Sequence, residues 1–102
     1  MTDALPVEIT ALAASQIRTA EEWWRRNRPA APNAVRQELE RAFSLIAGQP
    51  RIGSRATNVK LPGVRRIYLP VITQFLYFHV IAAQRVEVVA LWHARRETGP
   101  PL

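Results

Sequence analysis

The 102-residue chain reads as an α+β domain: a short N-terminal strand, an antiparallel helical hairpin, then a three-stranded antiparallel meander. Three observations predict it. Apolar residues recur at helical spacing through the first half, β-branched and aromatic runs replace them after a Pro/Gly-rich loop, and short breaks make successive elements neighbours. A chain of this length supports one core, so a single domain spans residues 1–102.

Leu5-Pro6-Val7-Glu8-Ile9 alternates and reads as a short strand, with Pro6 marking an edge or a strand start. Thr10 then caps a helix expected from about Ala11 to about Arg28. Leu12, Ala13, Gln16, Ile17, Ala20, Trp23, Trp24 and Asn27 share one stripe of it, which makes the two tryptophans core and hairpin-packing residues. Arg18, Glu21, Glu22, Arg25 and Arg26 fall elsewhere, on a solvated face. Pro29-Ala30-Ala31-Pro32 breaks the helix and offers a proline for the first turn of the next. Val35, Leu39, Ala42, Phe43 and Ile46 define that second helix, ended by Gly48 and Pro50.

Residues 50–63, PRIGSRATNVKLPG, read as a basic loop. Val64 to Leu69, Thr73 to Ile81 and Arg85 to His93 read as strands separated by Pro70 and by a turn at Ala82-Ala83-Gln84. Strict alternation puts Leu76, Phe78 and Val80 on one face of the middle strand and Phe75, Tyr77 and His79 on the other. In the last strand it groups Val86, Val88, Ala90 and Trp92 against Glu87, Val89, Leu91 and His93. Both faces are too apolar for a sheet with one side in water, so the face that the helices leave uncovered is expected to be buried by a partner.

The chain has no cysteine, which excludes disulfides and thiolate metal sites, and His79 and His93 are its only histidines; no metal or cofactor is expected. MTDALPVEIT lacks the basic start and apolar stretch of a signal peptide, and no run nears the ~20 apolar residues that span a bilayer. A cytoplasmic protein with no membrane partner is expected. Residues 1–50 carry as many acidic as basic residues, so the whole net charge of +6 lies in the second half, where only Glu87 and Glu97 oppose eight basic residues. That imbalance favours an anionic partner, either nucleic acid or an acidic protein segment, and arginine, which supplies all the basic residues but Lys60, suits bidentate contacts.

The order and spacing of several short stretches resemble the RelE/ParE family of bacterial toxins from toxin–antitoxin pairs. They are Val7-Glu8-Ile9 before an Ala-rich helix with an aromatic end, Arg36-Gln37-Glu38-Leu39-Glu40-Arg41-Ala42, Pro50-Arg51-Ile52-Gly53 and Leu61-Pro62-Gly63-Val64-Arg65-Arg66, followed by Phe75-Leu76-Tyr77-Phe78 and Val89-Ala90-Leu91-Trp92-His93-Ala94-Arg95-Arg96. The resemblance implies the α+β fold, a cognate antitoxin that wraps the toxin in a hetero-oligomer, and one of two modes of action. ParE-like members poison DNA gyrase and have no recognised hydrolytic constellation. RelE-like members cut messenger RNA in the ribosome.

Metal-free RNA cleavage needs a base, an acid and cations over the phosphate, for which Arg65, His93 and Arg95 are the candidates. The RelE pattern places a tyrosine near its end, whereas this chain has none after Tyr77 and ends Glu-Thr-Gly-Pro-Pro-Leu. The ParE-like reading is therefore favoured, with His93 and His79 as structural residues and the Pro/Gly tail as a mobile extension. Lys60, Arg65, Arg66, Arg95 and Arg96 are the expected anionic-partner or target-binding residues, the two arginine pairs lying side by side. Trp24, Phe75 and Tyr77 are expected to meet the antitoxin, whose segment should be acidic and amphipathic. A nuclease and a non-toxic antitoxin-binding relative remain the alternatives.

Overall fold

A computed structural model describes residues 4–102. Strand β1 (Val7–Ile9) leads into helix α1 (Ala11–Asn27), which turns back as α2 (Ala34–Gly48); then come β2 (Ser54–Arg55), β3 (Arg65–Leu69), β4 (Gln74–Ile81) and β5 (Arg85–His93). One sheet contains all the strands in the order β1-β5-β4-β3-β2. The meander is antiparallel as expected, and β1 lies at the edge, parallel to β5.

The helices begin where their caps dictate. Thr10 Oγ1 accepts the Ala13 N–H at 3.2 Å, satisfying a donor that the first turn leaves unpaired. Pro32 precedes Asn33, the residue that caps α2, so the proline lies outside that helix rather than in its first turn. Ala13, Ile17 and Ala20 of α1 and Val35, Leu39, Ala42 and Ile46 of α2 are buried against Leu69, Leu76, Phe78, Val86, Val88 and Leu91 of the sheet. Trp24 packs partly against this core, but Trp23, about 100° round the helix from it, is 45% exposed.

Strand β2 interrupts the segment expected to be all loop. Its two rungs, Ser54 with Arg66 and Arg55 with Arg65, are too short to impose a period on the sequence. Gly53 makes them possible, since at φ +79° a side chain there would overlap the Arg66 carbonyl oxygen.

The faces of β5 also differ from strict alternation. Tyr77 pairs with Ala90 but Phe78 with Val88, so Val89 is an unpaired extra residue, a β-bulge. Beyond it the strand is turned over: Val86, Val88 and Leu91 face the helices, while Val89, Ala90 and Trp92 face away. The Leu91 N–H, past the end of β1, is taken instead by the Gln16 side chain of α1 at 2.8 Å.

The face away from the helices is covered in large part by the chain itself, contrary to the expectation of a partner. Ala56, Val59, Leu61 and Val64 from the β2–β3 connection and Leu102 from the C-terminal segment pack over Tyr77, Val89 and Ala90. Nor is that segment a free extension. The Trp92 indole N–H donates to the Thr98 carbonyl at 2.7 Å, the Lys60 N–H to the Leu102 carbonyl at 3.3 Å, and Pro100 is buried. Gly99 sits so close to Asn58 that a β-carbon would overlap its carbonyl oxygen. Residues 98–102 form a strap.

Candidate functional site

Two surfaces gather the functional residue types. The first is the strap-covered face. Register aligns Arg66, Tyr77 and Ala90 in one cross-strand row and Tyr68, Phe75 and Trp92 in the next. In the first row the Tyr77 hydroxyl accepts from Asn58 Nδ2 at 3.0 Å and from Arg66 Nη1 at 3.4 Å. Tyr77 is only 1% exposed, so it meets its own chain and offers no surface to an antitoxin. The second row is aromatic and partly open: the Tyr68 ring, 49% exposed, lies 5.4 Å from that of Phe75.

Arginines sit over this second row. The Arg66 guanidinium is 4.0 Å from the Phe75 ring centre and that of Arg96 is 4.1 Å from Trp92. Neither has a carboxylate partner among the described residues, and the buried Nε of Arg66 finds no hydrogen-bond acceptor among them.

Arg65 departs from the grouping expected for it. Alternation turns it to the opposite face from Arg66, and its guanidinium donates to the carbonyls of Ile52 at 3.1 Å and Gly53 at 2.8 Å, pinning the β2 turn. The two arginine pairs therefore do not lie side by side: Arg65 and Arg66 stand at the start of β3, whereas Arg95 and Arg96 follow His93, which pairs through Gln74 with its far end at Leu69. His93 Nδ1 accepts the Arg95 backbone N–H at 3.1 Å, an anchor for the chain end. Arg65, His93 and Arg95 are thus dispersed, and no acid–base constellation forms around them. His79 is likewise structural, bonded to Glu87 at 2.8 Å across β4 and β5.

The second surface is a groove of 540 Å³ between α1 and the end of β5, floored by Ala20, Ile72 and Leu91 and walled by Trp23, Trp24 and Val71. Arg28, whose guanidinium lies 5.5 Å from the Trp23 ring centre, and Arg96 stand at its rim with His93. Val71 is 52% exposed and the two indoles meet edge to face at 5.9 Å. Among the described residues no group of three or more histidines and carboxylates gathers to hold a metal, and no helix is long and apolar enough to cross a membrane.

Of the residues expected at a site, Trp24, Phe75, Arg66 and Arg96 lie on these two surfaces, and Tyr68, Trp23, Val71 and Asn58 join them unexpected. Register would have found Tyr68, since it pairs with Phe75; Asn58 lies in a loop with no periodicity to place it.

A family model described as "ParE toxin of type II toxin-antitoxin system, parDE" matches residues 7–98. The chain belongs to the ParE toxin family. Among solved structures it is similar to a chain of the chromosomal ParDE toxin–antitoxin system from P. aeruginosa, with a TM-score of 0.73 and 17% identity over 92% of this chain and 100% of that one. At that identity the ParDE likeness shows the fold. No curated protein matches. Membership brings the described chemistry into one frame: a ParE-family domain that gathers cationic and aromatic groups on two surfaces.

Proposed function

We propose that the protein is the toxin half of a type II toxin–antitoxin pair, that it arrests growth in the cytoplasm by binding DNA gyrase, and that a cognate antitoxin neutralises it as a hetero-oligomer. Family membership supports the toxin and the partner. The observation that carries the antitoxin's place is the α1–β5 groove, where Trp23 and Val71 stand about half exposed beside Arg28 and Arg96. Such an apolar floor with a cationic rim suits an acidic, amphipathic segment, its apolar side chains displacing water and its carboxylates meeting the arginines. Trp24 keeps its antitoxin-facing role here, and Phe75 lies outside the groove. Lys60, Arg66 and Arg95, which have no carboxylate partner among the described residues, are left to meet an anionic target, whereas Arg65 is occupied by backbone carbonyls and Arg96 stands at the antitoxin groove.

Supercoiling by purified gyrase tests the target, and growth after expression of the chain tests toxicity. Inhibited supercoiling and arrested growth, both relieved by the small protein encoded beside the toxin gene, are expected. Untouched supercoiling together with cleavage of ribosome-bound messenger would replace the gyrase reading by the nuclease one, and unimpaired growth would remove both. Trp23→Ala should weaken capture by that partner roughly tenfold or more, the scale of a central aromatic anchor, while arrest persists.

A further inference from the structure

We infer that the open part of the strap-covered face is a binding platform for single-stranded nucleic acid. It adjoins the antitoxin groove, with which it shares Trp92 and Arg96, while Tyr68, Phe75 and Arg66 lie outside that groove; it is independent of which enzyme the toxin inhibits. Tyr68, Phe75 and Trp92 come from three adjacent strands and lie in one register row, so their rings span neighbouring strands spaced about 4.8 Å apart. A row of rings on a sheet face offers stacking positions to successive unpaired bases, whatever their identity.

The cations match the backbone of the same ligand. The Arg66 and Arg96 guanidinium carbons lie 4.0 and 4.1 Å from the Phe75 and Trp92 ring centres, so at these two positions of the row a cation covers the ring and an unpaired base can stack on the guanidinium. Arg66 Nη1 is turned to the Tyr77 hydroxyl and its Nε is buried, but with no carboxylate partner among the described residues the remaining guanidinium donors of Arg66 and Arg96 are available to phosphate oxygens. Tyr68 forms the accessible end of the row; Trp92, whose indole N–H holds the Thr98 carbonyl, forms the end closed by the strap. A duplex keeps its base faces stacked inside and cannot use the rings. An acidic peptide would satisfy the arginines but has no use for three aligned rings.

Fluorescence anisotropy of the full chain with a labelled oligothymidylate of roughly a dozen nucleotides tests this, a length that fits a platform of one small domain. Binding that weakens with salt is expected, and Tyr68→Ala should weaken it about tenfold, the scale of one lost base–aromatic stack. Arg96→Gln should weaken it and lower the salt dependence by about one phosphate contact. Arg36→Gln, an exposed position on α2, should change neither. No measurable binding would overturn the proposal, as would equal affinity for a duplex of the same length, or displacement by polyglutamate at matched charge. Unchanged binding by Tyr68→Ala would overturn it too, because this half-exposed ring can be removed without opening the core. An Arg36→Gln defect equal to that of Arg96→Gln would reduce the effect to net charge and overturn it equally.

Discussion

The two faces of the sheet are closed by different means. On one, two amphipathic helices lay a continuous apolar stripe over Leu76, Phe78, Val86 and Val88, with the interior of each helix hydrogen-bonded along its own backbone. On the other, an irregular connection and a five-residue strap cover Tyr77, Val89 and Ala90, held by scattered bonds such as Trp92 to Thr98 and Asn58 to Tyr77. The first arrangement concentrates stability. The second leaves room for arginines set over rings, because a loosely closed face tolerates charge at its margin that a packed core would exclude.

Breaking the helix face should have the largest effect. Phe78 is fully buried between the helices and the sheet, and Phe78→Ala removes its ring from the centre of that core. A loss of about 3–5 kcal/mol is expected, read as a shift in the urea midpoint, and it is a large fraction of the stability of a domain this size. A loss under 1 kcal/mol would mean that the two faces share the load.

Breaking the strap should cost less and stay local. Gly99→Ala places a methyl group against the Asn58 carbonyl, in a segment held at its ends by Trp92 and Lys60. Overpacking of this kind costs about 1–3 kcal/mol where the chain cannot move. Here the strap can lift away, so the global midpoint should move by about 1 kcal/mol or less while the Lys60 N–H and the Trp92 indole N–H lose protection in hydrogen exchange. Full retention of that protection would show the strap to be as firmly closed as the helix face.

The same division marks what could be read in the sequence. Periodicity located α1, α2, β4 and β5 nearly to the residue, because each buries a long stripe whose repeat repeats several times. It failed wherever the structure depends on a single event. Val89 is apolar like its neighbours, so nothing local signals that it is the extra residue that turns Ala90 and Leu91 over. Gly99-Pro100-Pro101 carries the composition of a free tail, yet the missing side chain of Gly99 is what lets the tail press on Asn58. At the candidate sites, residue types were legible and partners were not: Arg65 and Arg66 are chemically alike and adjacent, and only the register of β3 assigns one to the β2 turn and the other to the aromatic row.

The smallest effect is expected at the turn that joins the two faces' shared strands. Between β4 and β5 both Ala82 and Ala83 have positive φ, 52° and 56°, the signs of a type I′ turn, for which Asn-Gly is the favoured pair. Alanine there brings Cβ against the following carbonyl at a cost of roughly 1 kcal/mol per residue, which glycine avoids while losing some unfolded-state entropy. Ala83→Gly should therefore stabilise the chain by a few tenths to about 1 kcal/mol. The turn lies at the far end of β5 from Trp92 and the strap, so oligonucleotide binding should be unaffected. A destabilised Ala83→Gly variant would show that neighbouring contacts, and not backbone conformation, determine this hairpin, and the strain would then have to be sought at Thr73, the β-branched residue with φ 53° in the turn that borders the α1–β5 groove.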